Sequence, residues 1–337
     1  MKAVGYRRSL PIDDPESLLD VDLPPPEPQG RDLLVAVRAV SVNPVDWKVR
    51  KRAAPPAGDV KVLGWDAAGV VEATGPDCAL FKPGDEVFYA GSIQRQGTNS
   101  ERHLVDERIV GRKPRRPSFA EAAALPLTGI TAWELLFDRL GVSRGEASSG
   151  KTLLVIGGAG GVGSVLIQLA RRLTGVTVVA TASRSETQAW CRDLGAHHVV
   201  DHNGTLPAQL EAIGVGHADY VASLTHTDAH FAAIVEVVVP QGRVALIDDP
   251  EPIDVRLLKR KSVSLHWELM FTRSLFETSD MQAQHDLLNE LAGLVDDGLV
   301  RTTLAEHYGP INAANLRRAH AHLESGRAKG KVVLEGF

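Results

Sequence analysis

Lys151 to Leu173, KTLLVIGGAGGVGSVLIQLARRL, constrains the fold of this chain more than any other stretch. Thr152 to Ile156 is an apolar run without alternation, the pattern of a strand buried on both faces of a parallel sheet. Gly157 to Gly163 follows at once, and Gly158, Gly160 and Gly163 within it satisfy G-x-G-x-x-G. Val162, Val165, Leu166, Leu169, Ala170 and Leu173 then recur at helical spacing along one face. A strand, a glycine turn and a helix in this order predict a dinucleotide site. The glycines allow a tight turn and close approach of a pyrophosphate, and the helix N-terminus offers unpaired N–H groups and a positive dipole end. On these residues Gly158, Gly160, Gly161, Val162 and Gly163 form the cofactor cradle, for NAD, NADP or FAD.

The next strand narrows the choice. Val176 to Ala182 ends about 20 residues beyond the motif, where an NAD site places an Asp or Glu for the ribose 2′-hydroxyl. Here the chain has Ser183 and Arg184. A hydroxyl and a guanidinium suit a 2′-phosphate, so NADPH is the expected cofactor, with Glu186 a turn into the following helix and late for the acidic role. The alternative makes Ser183 a helix cap and Arg184 a solvated surface residue.

A chain of 337 residues holds two domains with full-sized cores, and the net charge of −5 gives no reason to expect nucleic acid or an anionic membrane as partner. Cys78 and Cys191 are the only cysteines, which excludes a disulfide framework and a Cys-x-x-Cys metal pair and suits a reducing compartment. No apolar run reaches the roughly 18 residues of a membrane span, and the N-terminus lacks a signal-peptide core, so a cytoplasmic protein is expected.

The first 125 residues read as β-rich. Strands are expected at Leu33 to Val42, Ala67 to Thr74 and Glu86 to Ala90, with a turn at Lys82 to Asp85. Ser118 to Leu125 is a helix with a Ser118/Glu121 capping box, and Thr131 to Arg139 a second one. From Lys151 on the pattern is βα repeated, through Val176 to Ala182, His198 to Val200, Ala218 to Leu224, Arg243 to Ile247 and Ser262 to Trp267. This predicts an α/β chain with a doubly wound parallel sheet of about six strands. Helices follow at Met281 to Asp297 and Asn312 to Ser325. The closing strand Lys331 to Glu335 needs a partner, which the first domain would supply.

Ser41 to Lys48 (SVNPVDWK), Leu63 to Gly75 (LGWDAAGVVEATG), Lys82 to Val87 (KPGDEV), Ala122 to Trp133 (AAALPLTGITAW), the glycine turn and the closing GKVVLEG together resemble the zinc-free branch of the medium-chain dehydrogenase/reductase superfamily. That branch holds quinone oxidoreductases and zinc-type alcohol dehydrogenase-like proteins. The resemblance implies a central Rossmann domain, here 125–275, and a GroES-like β-barrel catalytic domain built from both chain ends, 1–124 and 276–337. It further implies an active site in the cleft between them, and a homodimer.

Zinc alcohol dehydrogenases place a cysteine where this chain has Asn43 and a histidine where it has Trp65. They also carry a cysteine lobe near Tyr89 to Ser100, where this chain has none. Neither Asn43 nor Trp65 offers a thiolate or imidazole, so no metal is expected. His226 and His230, four apart, lack the Glu and the third ligand of a zinc motif. By resemblance, Asn43, Asp46 and Trp65 are the substrate-side catalytic residues and Thr128 lies near the nicotinamide. Asn43 is expected to donate a hydrogen bond to the substrate and Asp46, as an ordinary ionised carboxylate, to orient. His202 matches an adenine-side position and would stack on adenine or touch the 2′-phosphate.

The function implied is an NADPH-dependent reductase delivering hydride to a small-molecule quinone or α,β-unsaturated carbonyl. A zinc alcohol dehydrogenase and a non-catalytic NADPH-binding protein, a sensor or crystallin-like, are the alternatives. Asp248 and Asp249, at a strand end, are expected to cap or turn rather than to act as an acid–base pair.

Overall fold

The structure, a computed structural model, describes Met1–Phe337 and divides into two compact units, Thr131–Met270 and Met1–Ile130 with Phe271–Phe337. No helix is long and apolar enough to cross a membrane.

The unit Thr131–Met270 is built on six parallel strands, β1 (Thr152–Ile156), β2 (Thr177–Thr181), β3 (His198–Val200), β4 (Ala218–Ser223), β5 (Val238–Leu246) and β6 (Ser264–Trp267). Their order is β3-β2-β1-β4-β5-β6, so the direction of winding reverses beside β1. Helices α1 (Gly161–Leu173), α2 (Ser185–Asp193), α3 (Leu206–Ala212) and α4 (Thr227–Val237) make the crossovers. Every residue of β1 is buried, as its unbroken apolar run requires, and Leu154, Val179, Val221 and Leu246 of neighbouring strands pack in one core. Val165, Leu166, Leu169 and Ala170 of α1 are fully buried, each leucine contributing on the order of 1.5–3 kcal/mol by leaving water.

One expected helix differs in form. An α-helix over Pro126–Trp133 is followed by π-helical turns over Glu134–Arg139. Its start lies one residue after Leu125, at a proline suited to a first turn.

In the other unit the strand Asp32–Val42 is the organiser. One edge pairs antiparallel with Asp66–Thr74; the other is shared, Asp32 to Ala36 lying against Arg102–Asp106 and Ala39 to Val42 against the closing strand Lys331–Glu335. The last strand therefore does find its partner near the chain start. Gly69 is required where these strands cross, because a Cβ there would stand 2.2 Å from the Ala36 carbonyl oxygen. A smaller sheet sets Lys2–Tyr6 between Leu19–Asp22 and Lys61–Val62. The capping box of Ser118 and Glu121 forms as read.

Sequence reading left two helices of this unit unassigned, the short Thr272–Phe276 and Pro44–Arg52 inside the SVNPVDWK motif. Asn43 precedes it in extended backbone, Pro44 opens its first turn, and the Asp46 carboxylate accepts from the Asn43 N–H at 2.6 Å. Asparagine, proline and an acid at N-cap, first and third positions are a helix start legible in the sequence.

Candidate active site

The glycine turn sits at the carboxyl end of β1, where the winding reverses and open α/β sheets bind ligands. Gly157 has φ +83°. A Cβ on Gly163 would lie 2.6 Å from the carbonyl oxygens of Gly157 and Gly158, and one on Gly158 would lie 2.8 Å from Ala180 Cβ, so both are fixed by helix-to-strand packing. Gly160 is different: a Cβ there meets only the Gly157 oxygen at 3.6 Å, leaving its outer side open to a ligand. Gly160, Gly161 and Val162 are partly exposed at the start of α1, and the first N–H groups of a helix have no intrahelical acceptor. These residues fit a pyrophosphate.

Ser183 and Arg184 follow β2 and are partly exposed. Arg184, not Ser183, holds the N-cap position of α2, and its side chain makes no cap bond, so the capping alternative for Ser183 does not occur. Glu186 also stands differently from its expected place. It is the second residue of α2, in the first turn, and faces the Arg184 guanidinium at 3.4 Å. His202 lies two residues beyond β3 and lines a cavity of about 330 Å³ with Ile156, Thr181 and His230. Asp248 accepts from the Thr227 N–H (2.9 Å) and hydroxyl (2.6 Å), capping α4 as expected of it.

The substrate-side residues gather in the other unit around a charge that sequence reading passed over. Lys331, 3% exposed, donates to Asp66 Oδ2 at 3.0 Å, to the Val42 carbonyl at 3.0 Å and to Asn43 Oδ1. Asp66, fully buried, also accepts from Asn43 Nδ2 (2.8 Å) and from the Leu127 N–H (2.7 Å). The closing GKVVLEG contained Lys331, but the pairing spans 265 residues and no local pattern announces it.

Two expectations need correction. Asn43 was assigned a hydrogen bond to the substrate, yet its amide also donates to the Ser41 carbonyl at 3.3 Å, so Asp66 and Ser41 occupy both its hydrogens and it is 1% exposed. It is a hub of the buried network. The expectation of an ordinary carboxylate at Asp46 also fails. Burial pushes it from 3.8 up to about 7, Asp66 adds to the rise, and the Asn43 N–H and Lys331 hold it back. Its Oδ1 has no hydrogen-bond partner.

Trp65 is fully buried, its indole N–H on the Ser92 carbonyl at 3.2 Å and its ring edge-on to Phe271 at 5.9 Å. The Thr128 hydroxyl bonds back to the Leu125 carbonyl at 3.2 Å. No group of three His, Cys, Asp or Glu side chains converges to hold a metal, and Asn43, Trp65 and the Lys331 ammonium are not zinc donors.

The sheet order, the glycine cradle and the two-ended second unit define an oxidoreductase of the medium-chain dehydrogenase/reductase class. Residues 29–133 match the alcohol dehydrogenase GroES-like domain and residues 194–334 the family described as zinc-binding dehydrogenase. A zinc-type alcohol dehydrogenase-like protein of Staphylococcus aureus is 39% identical over 99% of both chains. A 2-methylene-furan-3-one reductase of Solanum lycopersicum is 30% identical, covering 94% of this chain and 74% of the relative.

Among solved structures, a Rhizobium etli protein presented as a candidate zinc-dependent alcohol dehydrogenase superposes with TM-score 0.97 at 60% identity, covering 100% of this chain and 98% of that one. A mycobacterial protein solved with NADPH superposes at 0.84 with 28% identity, covering 99% and 100%. The chain belongs to the medium-chain dehydrogenase/reductase superfamily, with the zinc-type alcohol dehydrogenase-like proteins. It is an oxidoreductase that binds a nicotinamide cofactor.

Proposed function

We propose that the protein is an NADPH-dependent reductase of quinones or α,β-unsaturated carbonyls that works without zinc. The observation carrying this reading is the buried cluster of Asn43, Asp66 and Lys331, in which an ammonium, an amide and a carboxylate satisfy one another. The Solanum relative's name, that of a reductase of a conjugated ketone, agrees with it. Reduction of a simple ketone concentrates charge on one oxygen, which zinc enzymes meet with a Lewis acid. A conjugated acceptor spreads that charge, so hydrogen-bond donors and protonation from water suffice.

A bound reduced nicotinamide supplies the hydride. Gly160, Gly161 and Val162 would hold the pyrophosphate on the turn that Gly158 and Gly163 allow, Ser183 and Arg184 would hold the 2′-phosphate, and Thr128 would serve the nicotinamide side. Asn43 and Asp46 are positioning residues: their bonds fix the start of helix Pro44–Arg52 beside Trp65 and Asp66. Enones or quinones should be turned over with NADPH in the presence of chelator, while ethanol-like alcohols with NADP⁺ give almost nothing. The reverse pattern, with stoichiometric zinc, sinks the proposal.

Arg184→Ala tests the cofactor assignment. A charge-assisted bond to phosphate is worth about 1.5–3 kcal/mol, so NADPH affinity should fall roughly tenfold to a hundredfold while NADH affinity changes little. Equal losses for both would make Arg184 structural.

We also propose a homodimer. β6 pairs on one side only, with β5, and Trp267 (57% exposed) and Leu269 (52%) stand at its end. An edge strand meeting its own copy antiparallel closes about a two-fold axis. Light scattering should give twice the chain mass, and Trp267→Lys with Leu269→Glu should give monomer. A wild-type monomer at micromolar concentration ends this part of the proposal.

A further inference from the structure

The cavity beside β1 and β2 contains, next to His202, a second imidazole, His230, that the cofactor assignment leaves without a task. Its walls come from the carboxyl edge of the sheet. Ile156 and Thr181 are the last residues of β1 and β2, and Ser183 and Arg184 follow Thr181 by two and three positions. Leu206, Pro207, Ala229 and Ala233 give it an apolar lining. His202, from the turn after β3, and His230, a turn into α4, meet over it with ring centroids 6.1 Å apart and planes at 70°.

We propose that His230, paired with His202, reads the 2′-phosphate of NADPH together with Arg184, and that it takes up a proton as the phosphate binds. The inference rests on the NADPH reading above. A dianionic phosphate arriving beside these two rings and the apolar lining favours the imidazolium form of a ring that faces it.

The charged surroundings of His230 agree. Burial, His202 and His226 hold its pKa below the ordinary value, while Asp228 in its own helix and Asp248 beyond β5 act the other way. Glu236 lines the same cavity. Asp248 already accepts two bonds from Thr227, and His226, the residue before α4, is bonded to Thr225 at 2.7 Å. His230 and His202 are therefore the groups left to respond to a phosphate.

Calorimetric titration of the full chain at pH 7 with NADPH and with NADH, each in two buffers of different ionisation enthalpy, tests this. A phosphate monoester is already mostly dianionic at pH 7 and contributes little proton exchange of its own. Net proton uptake on binding NADPH, with none on binding NADH, is expected. His230→Gln should at least halve that uptake, and should lower NADPH affinity severalfold more than NADH affinity.

NADPH binding with no proton uptake by the wild-type chain overturns the inference and leaves the cofactor reading intact, and this arm needs no variant to fold. Uptake that survives in both His230→Gln and His202→Gln also overturns it. Failure of NADPH to bind at all removes the cofactor reading and the inference together.

Discussion

Lys331→Met should lower the stability of the unit Met1–Ile130 with Phe271–Phe337 by about 3–5 kcal/mol, read as a drop in its urea midpoint. Breaking a buried ion pair from one side leaves the other charge without compensation. Here the residue left behind is Asp66, with 0% exposure, and the Asn43 side-chain oxygen Oδ1 loses its Lys331 donor as well. Methionine keeps most of the lysine's volume, so a packing defect is a minor part of the loss.

Adding Asp66→Asn should recover part of that loss, because the buried charge then disappears while an amide can still accept from the Leu127 N–H. A Lys331→Met protein as stable as wild type would show that the cluster is not held as described. Lys331 also holds the Asp46 carboxyl down, so in Lys331→Met that group should titrate above its present value of about 7.

Protonation of His320 by itself should cost this unit about 2 kcal/mol at pH 5 relative to neutral pH and roughly 4 kcal/mol once pH reaches 3. His320 is fully buried in the helix Ala313–Glu324, and neither ring nitrogen has a hydrogen-bond partner. Burial, and then the neighbouring Arg50 cation, push it from 6.5 down to about 3. The sign follows from proton counts. Between pH 6.5 and 3 the unfolded chain carries a proton on this imidazole and the folded chain does not, so stability is lost as pH falls through that window.

His320→Leu should remove this contribution, gaining about 2 kcal/mol on the wild-type chain between pH 7 and pH 5 without loss of stability at pH 7, since it replaces two unpartnered polar atoms by apolar ones. Urea midpoints at pH 5, 6 and 7 for both proteins decide it, and parallel slopes would remove His320 as the cause. Asp46 acts over an overlapping window with the opposite sign. Its folded value is raised, so its contribution is fully present below 3.8 and is lost as pH rises through about 7. The two groups together place the stability optimum of this unit near neutral or mildly acidic pH.

The nucleotide-binding half was legible because its signals are local. An unbroken apolar run, a glycine turn and an amphipathic helix are contiguous in Lys151 to Leu173, and β1 spans the five residues read as a strand. The later βα units repeat that logic. Even the missed helix Pro44–Arg52 has its start written in Asn43, Pro44 and Asp46.

What tertiary structure alone decided is the state of the polar residues. Asn43 and Asp46 were named from the sequence, but whether an amide is free to donate depends on what stands beside it. Ser41, Asp66 and Lys331 reach Asn43 from three strands and across up to 288 residues. The same holds for ionisation. Asp46 and His320 have ordinary side chains whose titration is set by the removal of water around them, a property of the packed core that no residue type or spacing encodes. Backbone elements follow from short-range pattern and steric preference, whereas charge state and donor availability are properties of the environment that the completed fold creates.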